Sequence, residues 1–587
     1  MTSARRILLW LALCYALVPS NAASQAGLRL TYELTLRPGA REIPVALQID
    51  GLNSDMLALE LTADYGAIPD YQRKILDLRA DGEPVERNDQ WVVQIRTSGK
   101  DSVIVSYRID LTGHDRSRGT TLPTVDDRHA FIPGASTFVF PSEARIGEVR
   151  VQIDKPADWN IDTSWGIDMD EYRFDGTDSD DLVYSFVASG DYRVETIEFD
   201  GIGVHTAFRG QGWTRDDEVQ DFLLRVLASH RDTFQTTPFK RLLAVGDFFY
   251  DRGVTSGSAF HNSINLLMPR DRKLSDDVGF QNLIAHESFH LWNGGDGVLA
   301  YADYEVLWLS EGVTDFYAQK NLLRARLIDD EEMLEEMAGK YLRLNVSFLR
   351  NVPLPEVGSQ YFEDPRARSL VYTKGALAGF LIDTYLQSTT GGVESLDDVV
   401  RTLAKSRNNV ERGEKYRNDD VLGALETVGG AELVQLFQDF SSGDYRPALE
   451  GVLDLAGYRI ERVDEPGYTL GIYDLGGRLQ AATVRALDRE GAAFGAGVRE
   501  NDVILEMDGR SIRDRRALEE EMKWITDGNG EPILIVVGRG SDRLLLTIEP
   551  ERFYKFRFTR KEPPLEASKA EGIVARKRGV EAGFSRF

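Results

Sequence analysis

The stretch Ile284-Ala285-His286-Glu287-Ser288-Phe289-His290-Leu291-Trp292-Asn293-Gly294 restricts what this chain can fold into more than any other. Two imidazoles four residues apart share a face when the backbone is helical, and they then stand close enough to hold one metal ion together. The flanking residues favour that helix. Ser275-Asp276-Asp277 offers an N-cap and an acidic first turn, Val278, Phe280, Leu283, Ile284 and Leu291 recur with helical spacing, and Gly294-Gly295 can end it. The paired histidines therefore fall in the last turns of a buried helix. Glu287, beside them, is a carboxylate suited to take a proton from a metal-activated water and to pass it on to a departing amine. With seven histidines in 587 residues, a chance pairing of this form is rare. The bland alternative is a core helix with two satisfied histidines.

A hydrolytic zinc site takes three protein ligands and keeps a position for water. Glu311, in Leu307-Trp308-Leu309-Ser310-Glu311-Gly312-Val313-Thr314-Asp315, is the best third ligand. It belongs to a second helix expected from near Asp303 into the region of Gln319. Asp315 lies one turn further on the same face. It is either a carboxylate that accepts the free N–H of a ligating histidine or an ordinary polar helix residue. Val371-Tyr372-Thr373-Lys374-Gly375-Ala376-Leu377 opens another helical run, and a tyrosine hydroxyl can donate to a developing oxyanion. Spacing alone does not select Tyr372 among 22 tyrosines.

Taken together, H-E-x-x-H, W-N, L-W-x-x-E-G-x-T and Y-x-K-G-A-L resemble the M61 family of metallopeptidases, the glycyl aminopeptidase type, related to the M1 aminopeptidases among the thermolysin-like gluzincins. The resemblance implies one Zn2+ per chain held by His286, His290 and Glu311, with Glu287 as base and Tyr372 supporting the transition state. It also implies an N-terminal β domain and a C-terminal PDZ domain. One position departs from the pattern. The family's strand beside the site reads like G-G-L-E-H-R-N-S, and its glutamate is thought to hold the substrate's free amine. Here Gly257-Ser258-Ala259-Phe260-His261-Asn262-Ser263 puts Phe260 in its place. A phenyl ring cannot pair with an ammonium as a carboxylate does. Phe260, His261 and Asn262 are the expected substrate-binding positions, and His261 is either a polar cleft-wall residue or a further zinc ligand. Asp303 and Glu305 are the alternative anions for an amine.

The rest of the chain reads as a multidomain α+β protein. Residues 1–22 have the form of a secretory signal peptide, with Arg5-Arg6, an apolar run from Ile7 to Val18, and Ser20-Asn21-Ala22 at the cleavage site. Cleavage removes Cys14, the single cysteine, so no disulfide and no thiolate is expected in the mature chain. The alternative is an uncleaved anchor, although the run is short for a membrane span. Residues 23–200 alternate in short runs such as Leu28–Leu34, Trp91–Ile95 and Ser102–Tyr107, which favours an antiparallel β-sandwich.

Residues 201–455 form the expected thermolysin-like catalytic unit of mixed strands and helices, with Ser263–Met268 as a sheet edge able to hold an extended peptide. Residues 460–552 resemble a PDZ domain through Ala493–Gly509, with Leu470-Gly471-Ile472 as the carboxylate-binding loop and Arg513–Trp524 as the groove helix. A tail at 561–587 shows no sustained periodicity. A net charge of −26 argues against nucleic acid and against anionic lipid.

These features imply a secreted or periplasmic zinc metallopeptidase acting on peptide or protein. It would keep no stable membrane anchor after signal cleavage, and its PDZ module could take peptide C-termini. The competing reading is a catalytically silent scaffold whose PDZ module carries the function.

Overall fold

The computed structural model describes residues 27–62, 71–87, 91–114, 122–142, 146–165, 171–174, 180–249, 256–260, 262–294, 298–408, 415–475, 481–489, 491–513, 518 and 530–561. The expected signal peptide, His261, nearly all of the expected groove helix and the tail beyond Lys561 lie outside them.

Alternating sequence makes alternating burial in the N-terminal part. Leu28–Thr35 and Ser102–Asp110 bury every second side chain, which is what a sheet with one covered face requires. The strands form sheets of seven, three and four strands. Their inward residues meet in one core, where Leu30, Tyr32 and Val105 of the large sheet pack with Leu59, Val93, Ile132 and Val187 of the smaller ones. The Tyr32 and Tyr107 hydroxyls donate to the carbonyls of Val139 and Thr137 at 2.8 and 2.9 Å, so buried phenols are satisfied across the layer. One pair departs from the antiparallel expectation: Leu28–Thr35 runs parallel to Ile146–Asp154.

A second, five-stranded sheet supports the helical half. Its order is Arg193–Phe199, Ile202–Arg209, Leu242–Phe249, Ser263–Pro269 and Ser256–Phe260; the three central strands are parallel and both outer ones antiparallel. Residues 200–201 are thus the turn of a hairpin, and the sheet begins at Arg193. The edge strand also differs from expectation. Ser263–Pro269 is interior and fully buried, and Ser256–Phe260, which pairs with it antiparallel from Phe260 opposite Ser263, is the edge among the described residues.

Against this sheet pack the helices Asp216–Phe234 and Val278–Phe289, followed by Thr314–Arg324, Asp330–Asn345, Pro365–Thr390, Leu396–Asn408, Asn418–Ser442 and Tyr445–Leu455. Asn418–Ser442 bends at Gly430, whose φ of +73° is open to glycine at no steric cost. All share one core, with Trp292 and Trp308 fully buried within it.

The C-terminal module has its own core, including Leu470, Val484, Ile504, Leu518, Ile535 and Val537. It joins the helical half through the paired strands Tyr458–Thr469 and Glu551–Arg560. Phe556 and Phe558 of the second strand meet the Tyr341 ring at centroid distances of 5.1 and 5.9 Å. None of the described helices is long and apolar enough to cross a membrane.

Candidate metal centre

The motif helix starts where the sequence places its cap. Asp277 accepts the Phe280 backbone N–H at 3.0 Å, and the helix runs from Val278 to Phe289 with His290 as its C-cap. Asn293 then turns the chain and fixes His290, since His290 Nδ1 lies 2.9 Å from the Asn293 carbonyl. An Nδ1–H donated there leaves Nε2 free for a ligand role. The Asn293 side chain donates to the Leu309 carbonyl at 3.0 Å and to Thr314 Oγ1 at 2.9 Å, and so ties the end of the motif helix to the segment carrying Glu311.

That segment is not the continuous α-helix expected from near Asp303. Tyr304–Val306 is a 3₁₀ turn, Trp308–Val313 is π-helical, and the α-helix proper is Thr314–Arg324. The wide turn swings Glu311 out of the helical register and toward the histidines. Close packing holds it there. A Cβ on Gly312 would lie 2.6 Å from Gly375 Cα, and one on Gly375 would lie 2.6 Å from the Trp308 carbonyl oxygen. The glycine of E-G and the glycine of K-G-A therefore face each other, and their contact brings Tyr372 onto Glu311.

His286 Nε2 and His290 Nε2 are 3.1 Å apart, and they lie 3.5 and 3.6 Å from Glu311 Oε2. Tetrahedral zinc at metal–ligand distances of ~2.0–2.2 Å separates its ligand atoms by about 3.3–3.6 Å. The two edges to Glu311 fit that figure and the histidine pair is slightly closer, so these residues suit one zinc ion. Among the described residues they are the one such group.

Burial alone would keep His286 neutral, but the carboxylates of Asp315 and Glu311 favour positive charge there, pushing it up to about 10, and a bound cation would take the place of that proton. Burial also opposes ionisation of Glu311, and the two histidines overcome it, keeping its carboxyl well below the usual range. The pocket is thus arranged for positive charge.

Glu287 faces the same space, and burial raises its carboxyl. A Cβ on Gly257 would lie 2.4 Å from Glu287 Cγ, so glycine at this edge-strand position lets the strand run directly past the base. Tyr372 donates to Glu311 Oε2 at 2.8 Å and exchanges a 2.9 Å hydrogen bond with the Tyr361 hydroxyl. Burial, and then Glu311, keep the Tyr372 phenol protonated. Asp315 Oδ1 lies 3.5 Å from His286 Nδ1 and accepts from Asn282 at 3.1 Å, so it stands behind a ligand histidine.

Phe260 belongs to different surroundings. Its ring packs on Phe186 and Tyr184 of the N-terminal part, at 4.7 and 5.4 Å, on the strand face opposite to Gly257. Asn262, at the hairpin turn, reaches the Ser164 carbonyl at 3.5 Å. The Asp303 carboxylate caps the 3₁₀ turn and pairs with Arg417 at 2.8 Å, while Glu305 is exposed. In the C-terminal module Leu470 is buried and the Gly471 N–H donates to Thr469 Oγ1 at 3.1 Å. Ile472 lines a cavity of about 260 Å³ shared with Arg343, Arg366 and Thr373 of the helical half.

Tyr361 and Asn282 carry no local sequence signal for the site, whereas Asn293 lies in the W-N that follows the paired histidines.

Residues 31–190 match the family described as the Peptidase M61 N-terminal domain, and residues 279–360 match M61 glycyl aminopeptidase. The second match contains His286, Glu287, His290 and Glu311 and stops short of Tyr372. No curated protein matches the chain. Among solved structures it is similar to an aminopeptidase N family protein from Idiomarina loihiensis, at 17% identity and a TM-score of 0.74 over 91% of this chain and 98% of that one. It is also similar to the M1 zinc metallopeptidase from Deinococcus radiodurans, at 17% identity and a TM-score of 0.46 over 71% of this chain and 95% of that one. Yeast LTA4 hydrolase follows at 14% identity and a TM-score of 0.44, over 70% of this chain and 67% of that one. The first of these likenesses speaks to a shared fold.

Proposed function

We propose that this chain, which carries the domains of an M61 peptidase, is a zinc-dependent peptidase of the secreted or periplasmic space. The observation that carries the reading is the near-tetrahedral spacing of His286 Nε2, His290 Nε2 and Glu311 Oε2 beside the buried Glu287 carboxyl. Zinc bound there supplies a Lewis acid for the scissile carbonyl and lowers the pKa of water towards about 7. Glu287, its proton affinity raised by burial, takes the proton from the attacking water and returns it to the leaving amine. Tyr372 keeps its proton and stands on the Glu311 side of the site, ready to donate to the developing oxyanion. Ser256–Phe260 is the outer strand of the five-stranded sheet among the described residues, and Gly257 brings it next to the base, so an extended peptide laid along this strand would pass Glu287. Asp315 orients His286.

The aminopeptidase label turns on Phe260. Its ring is turned into the N-terminal part and carries no charge for a substrate amine, and Asp303 is already paired with Arg417. The reading adopted is a peptidase that does not depend on a free amino terminus. The C-terminal module is read as PDZ-like, and its Ile472 lines a cavity shared with the helical half. The test is hydrolysis of matched free and N-acetylated peptides by the mature protein, with Glu287→Gln as the blank. Equal turnover of the blocked peptides supports the reading; cleavage of free peptides alone restores the aminopeptidase assignment and requires another anion.

A further inference from the structure

Lys340 is a charged residue that the proposed chemistry does not use, and it is only 5% exposed. It sits on the helix Asp330–Asn345, and its ammonium binds Asp315 Oδ2, with Glu336 Oε1 at 3.3 Å on the outer side. The two oxygens of Asp315 are thereby divided. Oδ2 belongs to Lys340, while Oδ1 takes the Asn282 amide at 3.1 Å and faces His286 Nδ1 at 3.5 Å. Gln319 in turn donates to Asn282 Oδ1 at 2.8 Å and fixes that amide. Three helices meet at one carboxylate.

We infer that Lys340 is a positioning residue for the metal, acting through Asp315 on His286. An ammonium fixed on Oδ2 stops the carboxylate from rotating, so Oδ1 stays aimed at the imidazole and Nε2 stays aimed at the metal. It also sets the charge of the pocket. Glu287, Glu311 and Asp315 all bring carboxylates into a buried site, and Lys340 offsets the charge of the one that does not face the metal position. Without Lys340 the buried Asp315 carboxylate loses its charged partner on Oδ2, and the network must rearrange to meet it.

This inference rests on the zinc reading, so its test measures metal affinity rather than turnover. Zinc dissociation constants would be obtained by chelator competition for the full chain and for Lys340→Met, Lys340→Arg, Asp315→Asn and the Lys340→Met/Asp315→Asn pair. Lys340→Met and Asp315→Asn should each weaken zinc binding by about 10–100-fold. The double variant should be no weaker than the worse single one, and Lys340→Arg should recover most of the loss. If Lys340→Met does not fold, Lys340→Gln, which keeps a donor without the charge, takes its place. Zinc affinity within about threefold of the parent in the Met or Gln variant, or losses that multiply in the double variant, would overturn the inference. A parent chain that takes up no zinc would instead overturn the proposed function.

Discussion

Glu287→Gln keeps the shape and removes the base, so zinc should still bind while turnover falls by about 10²–10⁴-fold. Zinc content and peptide hydrolysis measured on the same preparation check this, and retained turnover would exclude Glu287 as base.

His230, on the helix Asp216–Phe234, faces the back of the motif helix. It is fully buried, its Nδ1 faces Asn321 Nδ2 at 2.8 Å, and its Nε2 lies 3.0 Å from both the Ala285 carbonyl and Ser288 Oγ. Ser229, Thr233 and Arg324 all donate to Asn321 Oδ1, so the amide N–H is what points at the ring. The ring is therefore neutral and protonated on Nε2. A second proton on Nδ1 would meet a donor, and burial lowers His230 to about 3 from its ordinary 6.5. Between those values the unfolded chain binds the extra proton. The stability that neutral His230 contributes is full above pH 6.5 and is lost as pH falls, by about 1.4 kcal/mol per unit. From pH 7.5 to pH 5, urea unfolding should show about 2 kcal/mol more loss for the parent than for His230→Gln. Parallel pH profiles would show that another group governs the acid limb.

At the scale of elements, the contact between the π-helical turn and the Tyr372 helix decides the site. Gly375→Ala puts a methyl group 2.6 Å from a backbone oxygen and 2.9 Å from Gly312 Cα, atoms that cannot rotate away. The cost should be about 1–3 kcal/mol, and Tyr372 should move off Glu311 with a fall in hydrolysis. Gly423→Ala, with nothing within 4 Å of the added carbon, is the control and should be neutral or slightly stabilising. Equal melting temperatures for the two variants would remove the argument.

A helix is legible in the sequence where one face is apolar over several turns, as in Asp216–Phe234. The sequence did not show the π-helical turn, because Trp308-Leu309-Ser310-Glu311 has the same local composition as an α-helical turn. It also misplaced the edge strand. Ser256-Gly257-Ser258-Ala259-Phe260 is a poor strand by propensity and becomes one by pairing with Ser263–Pro269. Lys340 was invisible for a similar reason: Glu336 and Lys340 four residues apart read as a solvated helix pair, and only tertiary packing turns the lysine inward.

At the scale of the molecule, the paired strands Tyr458–Thr469 and Glu551–Arg560 join two cores, but they pack on the helical half. Phe558 reaches Phe380 at 6.0 Å and Tyr341 at 5.9 Å, and the Lys561 N–H closes on the Gly457 carbonyl at 2.8 Å. The energetic boundary therefore lies inside the C-terminal segment rather than before it. Thr469 pairs with Glu551, so residues 471–549 can be excised and the strands joined by a short glycine-containing turn. That deletion removes a module with its own core and should leave the melting temperature within a few degrees and the hydrolysis of short peptides intact. Truncation after Leu455 removes both strands and uncovers Tyr341 and Phe380. Each large apolar side chain taken out of the core costs about 1.5–3 kcal/mol, so this protein should melt far lower or fail to accumulate. If the bridged deletion were as unstable as the truncation, the two cores would fold as one unit. If it were stable and zinc-loaded yet inactive on short peptides, the module would form part of the catalytic cleft, with Ile472 and the cavity it shares with Arg343, Arg366 and Thr373 as the place where it acts.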